Sequence, residues 1–526
     1  MRVGEPEHIG SVVRTVSVTL ATMTLSPNPL SKSRYLAGLQ CTKRLYWEVH
    51  RRDLLPPGQI ASGVQALLDV GTEVGRLART RHPRGVLIEH DHLHHDDAVE
   101  ATRNAMADPT ARAIFEAAFT HGGVKIRADI LIRRQDDLWD LQEVKASLSA
   151  KAVHLADLAI QVHVLRGSGV KLRRIGILHL NREYVRGPAG LDLRGVYQFT
   201  PLGLAISVEL VEAKLMLPEF HRMLKASDPP AVVAGDHCHT PYECPFFYLC
   251  GPPQAPLDPG GGGVASGMSD AGIEPAQSVP VDVRMSALQR RMAAAVADGR
   301  EYVGPGLRAS LVPVGSPISF LDFEAFQPAI PRYVGTGPYT PLPTQWSLHR
   351  RSHDGGLGHA EFLHDADTDP RPAFADSLLA ALERDEGVIV VFSPFEGTVI
   401  KRLAAHFPVL QDRLMALLPR LVDLLQVLRK DYYHPDFGGS FSLKSVLPVL
   451  VPDLAYADLA VQDGLAAAAA YARMIDAPTT PVERATIRES LLRYCERDTL
   501  ALVRVREALL AKCGGAGLWG PPFTPA

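Results

Sequence analysis

The chain has 526 residues, of which 46% are hydrophobic and 21% charged, enough apolar material for about two to four packed domains. A formal net charge of −3 excludes a globally basic nucleic-acid binder and leaves only local basic patches for such contacts. No run of about 18 apolar residues exists and no apolar stretch follows Arg2 and Arg14, so neither a membrane span nor a secretory leader is expected, and the cytoplasm is the expected location.

Residues 1–27 read as a disordered extension, with Met23 just ahead of the patterned sequence. A first domain is expected over 28–251. It opens with helices over 60–80 and 97–118. Two β-type runs follow, VKIRADILIRR and LWDLQEVKAS, and the Gln135, Asp136, Asp137 break between them predicts a hairpin. A helix over 150–166, a strand at RRIGILHLN and a long helix over 201–225 come next. Residues 252–283 are rich in Gly, Pro and Ser and read as a flexible linker. The second domain, 284–515, opens with a helix over 284–299 and three strands at ISFLDFEAF, TQWSLHR and HAEFLH. A helix over 372–384 and the strand GVIVVFS follow, and the remainder is largely helical, including the Ala-rich 465–474. This order predicts an α/β chain with mixed sheets flanked by helices.

Asp129 stands in the first hairpin run and Glu143 and Lys145 in the second. Strand periodicity puts Glu143 and Lys145 on one face, and pairing can bring Asp129 beside Glu143. Two adjacent carboxylates suit a hard cation such as Mg²⁺, and a lysine beside them suits phosphodiester hydrolysis. The same residues would also serve as a solvated surface hairpin.

RAD, QEVKAS and a following helix carrying DLAIQ together resemble the RecB-type branch of the PD-(D/E)XK nucleases, which have a restriction-endonuclease-like fold. The resemblance implies that Asp129 and Glu143 ligate Mg²⁺ or Mn²⁺, that Lys145 is catalytic and that Gln161 supports the centre. It implies Glu73, in GTEVG, as an upstream acid. The Tyr that often follows the Gln in that branch is absent here.

Six cysteines in a chain of this length do not make a secreted disulfide framework. Cys238, Cys244 and Cys250 are evenly spaced in CHTPYECPFFYLC, and Cys41 lies far upstream in LQCTKRLYW. One cysteine before the nuclease core and three after it resemble the iron–sulfur staple of some RecB-like exonucleases, which implies a [4Fe–4S] cluster on these four thiolates. The trio is spaced differently from the commoner pattern, so a four-cysteine Zn²⁺ site is the rival; buried free thiols are the plain alternative. Cys495 and Cys513 have no partners at metal spacing and read as structural.

In the second domain, FLDFEAF puts Asp322 and Glu324 on one face of an apolar strand, a costly placement unless they are paired or metal-bound. YCERDTLAL puts Tyr494 and Asp498 one helical turn apart. VIVVFSPFE puts Glu396 just beyond a buried strand, where ligands often gather in α/β folds. This order resembles the DEDD exonucleases of the ribonuclease-H-like superfamily, in the tyrosine-bearing subtype. The resemblance implies Asp322, Glu324 and Asp498 as ligands of Mg²⁺ or Mn²⁺ and Tyr494 as the residue that orients water. Glu396 stands where that family has Asp, and Asp423 is a second candidate acid. The plain alternative is an ordinary helix pair beside a strand end.

The run EHDHLHHDD reads as a solvated loop, and no Walker A motif is present, so an ATP-driven motor would belong to a partner such as a helicase. Across 28–251 and 315–512 the chain resembles a bacterial family that fuses the two modules. That implies a metal-dependent nuclease acting on DNA, with single-stranded ends as plausible substrates for an exonuclease in DNA processing or repair. The alternatives are a catalytically weak nucleic-acid-binding scaffold and an RNA-trimming exonuclease.

Overall fold

The structure is a computed structural model that describes residues 30–55, 62–91, 93–250, 285–311 and 317–514. The extension expected over 1–27 and the linker expected over 252–283 lie outside the described residues. Among the described residues, no helix is long and apolar enough to cross a membrane.

The first half runs β1 (Leu30–Ser31), α1 (Lys32–Gln40), α2 (Thr42–His50), α3 (Ser62–Arg79), β2 (Gly85–Leu87), α4 (His95–Ala107), β3 (Ala113–His121) and β4 (Val124–Arg133). It continues through β5 (Leu138–Lys145), α5 (Val153–Gly167), β6 (Lys171–Leu180), β7 (Tyr197–Pro201), α6 (Ser207–Met223) and α7 (Phe247–Cys250). The seven strands form one sheet in the order β2-β3-β4-β5-β6-β7, with β1 joined to β4. β3, β4 and β5 pair antiparallel, whereas β6 returns parallel to β5 after the α5 crossover. α5 packs against β3, β4 and β6 on one side and α1 and α6 on the other. That position explains why Leu158, Ala159, Ile160, Val162, Val164 and Leu165 are all buried, an apolar surface nearly all round. Asp157 and Gln161, one turn apart, and His154 are the polar exceptions, and they are buried too.

The helix expected over 97–118 is corrected. α4 stops at Ala107, with Asp108 as its C-cap and Pro109 next, and AIFEAAFTH forms the strand β3. The alanines there favour helix, but every residue from Ala113 to Phe119 except Glu116 is buried, as a central strand requires. Glu116 itself has φ of 54°, a local kink in β3. The hairpin between β4 and β5 forms as expected, with Asp136 and Asp137 at φ of 58° and 53°, a region aspartate tolerates better than most residues.

The second half runs α8 (Ala287–Asp298), β8 (Tyr302–Val303), α9 (Leu307–Leu311), β9 (Ile318–Phe326), β10 (Leu342–Arg351), β11 (Leu357–Leu363), α10 (Arg371–Leu382) and β12 (Val388–Val391). Then come α11 (Phe395–His406), α12 (Gln411–Leu417), β13 (Leu421–Asp423), α13 (Leu424–Asp431), β14 (Tyr432–Tyr433), α14 (Leu443–Leu450), α15 (Gly464–Ile475) and α16 (Pro481–Lys512). Five strands form a sheet in the order β11-β10-β9-β12-β13. β9, β10 and β11 are antiparallel, and β12 and β13 run parallel to β9. α16 packs on β9 and β10, while α10 covers β10 from its own cluster. The chain is therefore α/β, with two mixed sheets.

The halves meet through the segment between β9 and β10. Tyr339 donates to the Ala146 carbonyl at 2.6 Å, just past β5, and Arg186 exchanges backbone hydrogen bonds with Thr336 and Gly335, both 2.9 Å. Ala329 is buried in the same cluster as Ile130 and Leu178 of the first sheet.

Candidate metal centres

The β4–β5 ladder runs from Arg133–Trp139 to Ile130–Gln142. At the next step Asp129 replaces the ladder: its Oδ2 accepts from the Val144 N–H at 2.7 Å. Its neighbour Glu143 is 1% exposed and lies at the centre of a polar cluster. Glu143 Oε1 accepts from Lys32 Nζ at 2.7 Å and Lys145 Nζ at 2.8 Å, and Oε2 accepts from Gln161 Nε2 at 2.8 Å. From α5, Asp157 accepts from Lys145 Nζ at 2.5 Å and from Gln161 Nε2 at 3.1 Å, and Lys32 Nζ is 3.1 Å from its Oδ1. Burial, then the charge of Glu143, pushes the Asp129 carboxyl well above the usual range. Burial pushes Glu143 the same way, but Lys32 and Lys145 outweigh it and hold Glu143 ionised.

Asp129, Glu143, Lys145 and Gln161 thus come together as expected. Glu73 does not join them: it is exposed on α3 and makes no hydrogen bond or ion pair with any of them. The acid whose charge reaches Asp129 from further along the sheet is Glu116, held by Arg79 at 2.7 Å and Arg127 at 3.5 Å. Two members escape the sequence reading. Asp157 could have been found from its spacing of one turn before Gln161. Lys32 carries no local signal, because only the parallel β1–β4 pairing brings the start of α1 to the hairpin.

The four cysteines also converge. Cys41 is at once the C-cap of α1 and the residue before α2, Cys238 ends a short 3₁₀ turn, and Cys250 ends α7. Cys244 donates its N–H to the Cys238 carbonyl at 2.7 Å. Gln40 ties the segment down, donating to the His237 carbonyl at 2.8 Å. All four are free thiols and line one small pocket with Trp47 and Phe247. Four thiolates gathered in this way could hold either a single Zn²⁺ or an iron–sulfur cluster.

The second half supplies a close trio: Asp322 and Glu324 from β9 and Asp498 from α16. β9 is otherwise apolar, with Phe320, Leu321 and Phe323 buried, and its two acids are half-buried beside Asp498 of α16. Burial, then Asp498 and Glu324, raises Asp322 well above the usual carboxyl range. Burial, then Asp498, raises Glu324 to about 8, and burial raises Asp498 to about 6 although Tyr456 and Lys444 oppose the shift. Three oxygen donors that repel one another in the apo state are the donor set a hard cation needs.

Tyr494 is buried one turn before Asp498, and its phenol is held protonated by burial and by the Asp498 and Glu324 charges. Glu396, 3% exposed in the first turn of α11, accepts from Ser393 Oγ at 3.2 Å and is raised to about 7 by burial. Its charge reaches Asp322, but it stands outside the close trio. Asp423 is committed as the N-cap of α13, accepting from the Leu425 N–H at 2.9 Å. Cys495, read as merely structural, is buried with its thiol 3.6 Å from Asp322 Oδ2. Sequence reasoning missed Tyr456, whose hydroxyl donates to Asp498 Oδ1 at 2.5 Å, and Lys444, because both lie in irregular or short segments without a motif. A small pocket adjoins Glu324, between β10, α15 and α16.

A family model described as "Domain of unknown function (DUF2779)" matches residues 319–442, a span that includes Asp322, Glu324 and Glu396 but not Tyr494 or Asp498. No curated protein matches the chain.

Proposed function

We propose that the chain is a metal-dependent nuclease with two phosphodiester-hydrolysing centres, one in each half, acting on DNA in preference to RNA and on single-stranded ends. The observation that carries this reading is the convergence of the half-buried Asp322 and Glu324 with the buried Asp498, three acids from two distant elements whose oxygens lie within 4.8 Å. Clustering such acids is costly, and a bound cation relieves that cost where otherwise only protonation would. The strand order β11-β10-β9-β12-β13, with the paired acids on the central strand, supports a ribonuclease-H-like second domain. Asp129, Glu143, Lys145 and Gln161 around one hairpin support a PD-(D/E)XK-like first domain.

When bound, Mg²⁺ or Mn²⁺ supplies an activated water and neutralises charge on the phosphate. In the first centre Asp129 and Glu143 would hold the ion, Gln161 fixes the Glu143 carboxylate through Oε2, and Lys145 presents an ammonium to a phosphate oxygen. In the second, Asp322, Glu324 and Asp498 would hold it, and the Tyr494 hydroxyl can orient a water beside them. The four cysteines would hold a [4Fe–4S] cluster, whose contribution is to tie the α1–α2 junction to residues 238–250.

The test is cleavage of end-labelled DNA and RNA oligonucleotides of equal length with Mg²⁺ or Mn²⁺. Lys145→Ala and Asp322→Ala are each expected to lower the rate of their own centre by about 10² or more, the usual cost of losing one charge-stabilising group. Undiminished cleavage in Asp129→Ala/Asp322→Ala would reject both centres. One observation favours a second reading for the second half, a binding scaffold with weak turnover: Glu396 takes the place of an Asp and stays outside the trio. Tight DNA binding with no metal-dependent turnover in the Asp129→Ala background would favour it.

A further inference from the structure

Lys32 belongs to no motif, yet it makes the most central contact of the first centre. Its ammonium bridges Glu143 Oε1, at 2.7 Å, and Asp157 Oδ1, at 3.1 Å. Lys145 spans the same two carboxylates from the other side, at 2.8 Å and 2.5 Å. The two lysines are not equivalent. Lys145 rises from the same strand face as Glu143, two residues away, so its backbone is fixed relative to that carboxylate by the strand itself. Lys32 is the first residue of α1 and reaches in from a separate element, although the two side chains are equally exposed, 26% and 25%.

The charge count separates them further. With Asp129 kept protonated by burial, Glu143 and Asp157 are already balanced by Lys32 and Lys145; without Lys32 the sum is about −1, and ionising Asp129 on metal binding makes it about −2, which one divalent cation cancels. A divalent ion cannot take the position between Glu143 Oε1 and Asp157 Oδ1 while the Lys32 ammonium holds it.

We infer that Lys32 is a tethered counter-ion that holds the place between Glu143 and Asp157 in the metal-free protein, that a divalent cation binds the first centre by displacing it, and that Asp157 is a third carboxylate of that ion's site. This rests on reading the first centre as a metal site. Lys32 then sets the metal concentration at which the centre loads, and the lysine protects the buried carboxylates from mutual repulsion until it does.

The experiment measures Mn²⁺ binding, from the free-ion electron paramagnetic resonance signal, on the full chain carrying Asp322→Asn/Glu324→Gln so that the first centre is read alone. Lys32→Met is expected to bind Mn²⁺ at least about tenfold more tightly, the factor that follows if the arrangement without the lysine is populated a tenth of the time or less. Lys32→Arg, which keeps the charge, should bind no more tightly than the parent. Lys32→Gln is a second neutral variant should the methionine fail to fold. Unchanged or weaker Mn²⁺ affinity in the neutral variants, while Glu143→Gln abolishes binding, overturns the role of Lys32 and leaves the metal site standing. Equal tightening in Lys125→Met, which removes a charge elsewhere on β4, also overturns it. If Glu143→Gln and Asp129→Asn leave Mn²⁺ binding intact, the metal-site reading itself fails.

Discussion

Asp498→Asn is expected to raise the melting temperature of the metal-free protein at pH 8 while abolishing the further rise that Mn²⁺ produces, and to lower cleavage by the second centre by about 10² or more. The sign follows from the direction of the shifts. Glu324, at about 8, and Asp498, at about 6, are raised by burial above the values near 4 that the unfolded chain would show. The folded state therefore holds protons that the unfolded state has released. The stability these groups contribute is complete below about pH 4, and it is lost as pH rises through about 6 for Asp498 and about 8 for Glu324. In chelator, the melting temperature should fall between pH 5 and pH 8, by the equivalent of several kcal/mol. Divalent metal should restore it most at the alkaline end, because a ligand bound only by the folded state adds its binding free energy there. The asparagine keeps an oxygen for the Tyr456 hydroxyl, so packing is conserved while one repelling charge goes. Melting that is flat with pH in chelator, together with no metal-induced rise, would mean that the three acids do not form a cation site.

Cys238→Ala should have the second large effect. Protein purified without oxygen is expected to be brown and to carry iron and acid-labile sulfide in cluster proportion; stoichiometric zinc instead would sink the cluster. The segment from Ser227 to Cys250 contains only a 3₁₀ turn and one helical turn, so it has little regular hydrogen bonding of its own. Cys238 is its most deeply buried thiol, 5% exposed. Loss of that ligand should cost the first domain several kcal/mol, since a metal group bound only by the folded chain lends its binding free energy to folding. Limited proteolysis is the direct reading: cleavage should appear between Ser227 and Cys250 in the variant and in chelator-stripped protein. Equal resistance in both would show that the thiols merely pack.

The elements that carry the chemistry were the ones most legible in the sequence. β4, β5, α5 and β9 each combine a clean periodicity with polar residues at fixed offsets, and Asp129, Glu143, Lys145 and Gln161 meet because strand alternation and helical spacing are local rules. Asp322, Glu324 and Asp498 were legible as a set for the same reason. What escaped depends on distant pairing. Lys32 reaches Glu143 only because Leu30 and Ser31 pair with Val124 and Lys125. Tyr456 reaches Asp498 from a stretch with no regular structure. Glu73 illustrates the opposite error: a helical acid in a plausible position turned out to face solvent. In β3, alanine content argued for helix and tertiary burial between β2 and β4 decided for strand.

Helix α1 has one further consequence. Its first residue, Lys32, lies against Glu143, and its C-cap, Cys41, faces the other three thiols, so about 13 Å of rigid backbone joins the two. If the thiols hold a cluster and Glu143 a metal ion, as proposed, oxidative loss of the one would shift the mooring of the other, while the acids of β9 and α16, in a separate core, would be left undisturbed.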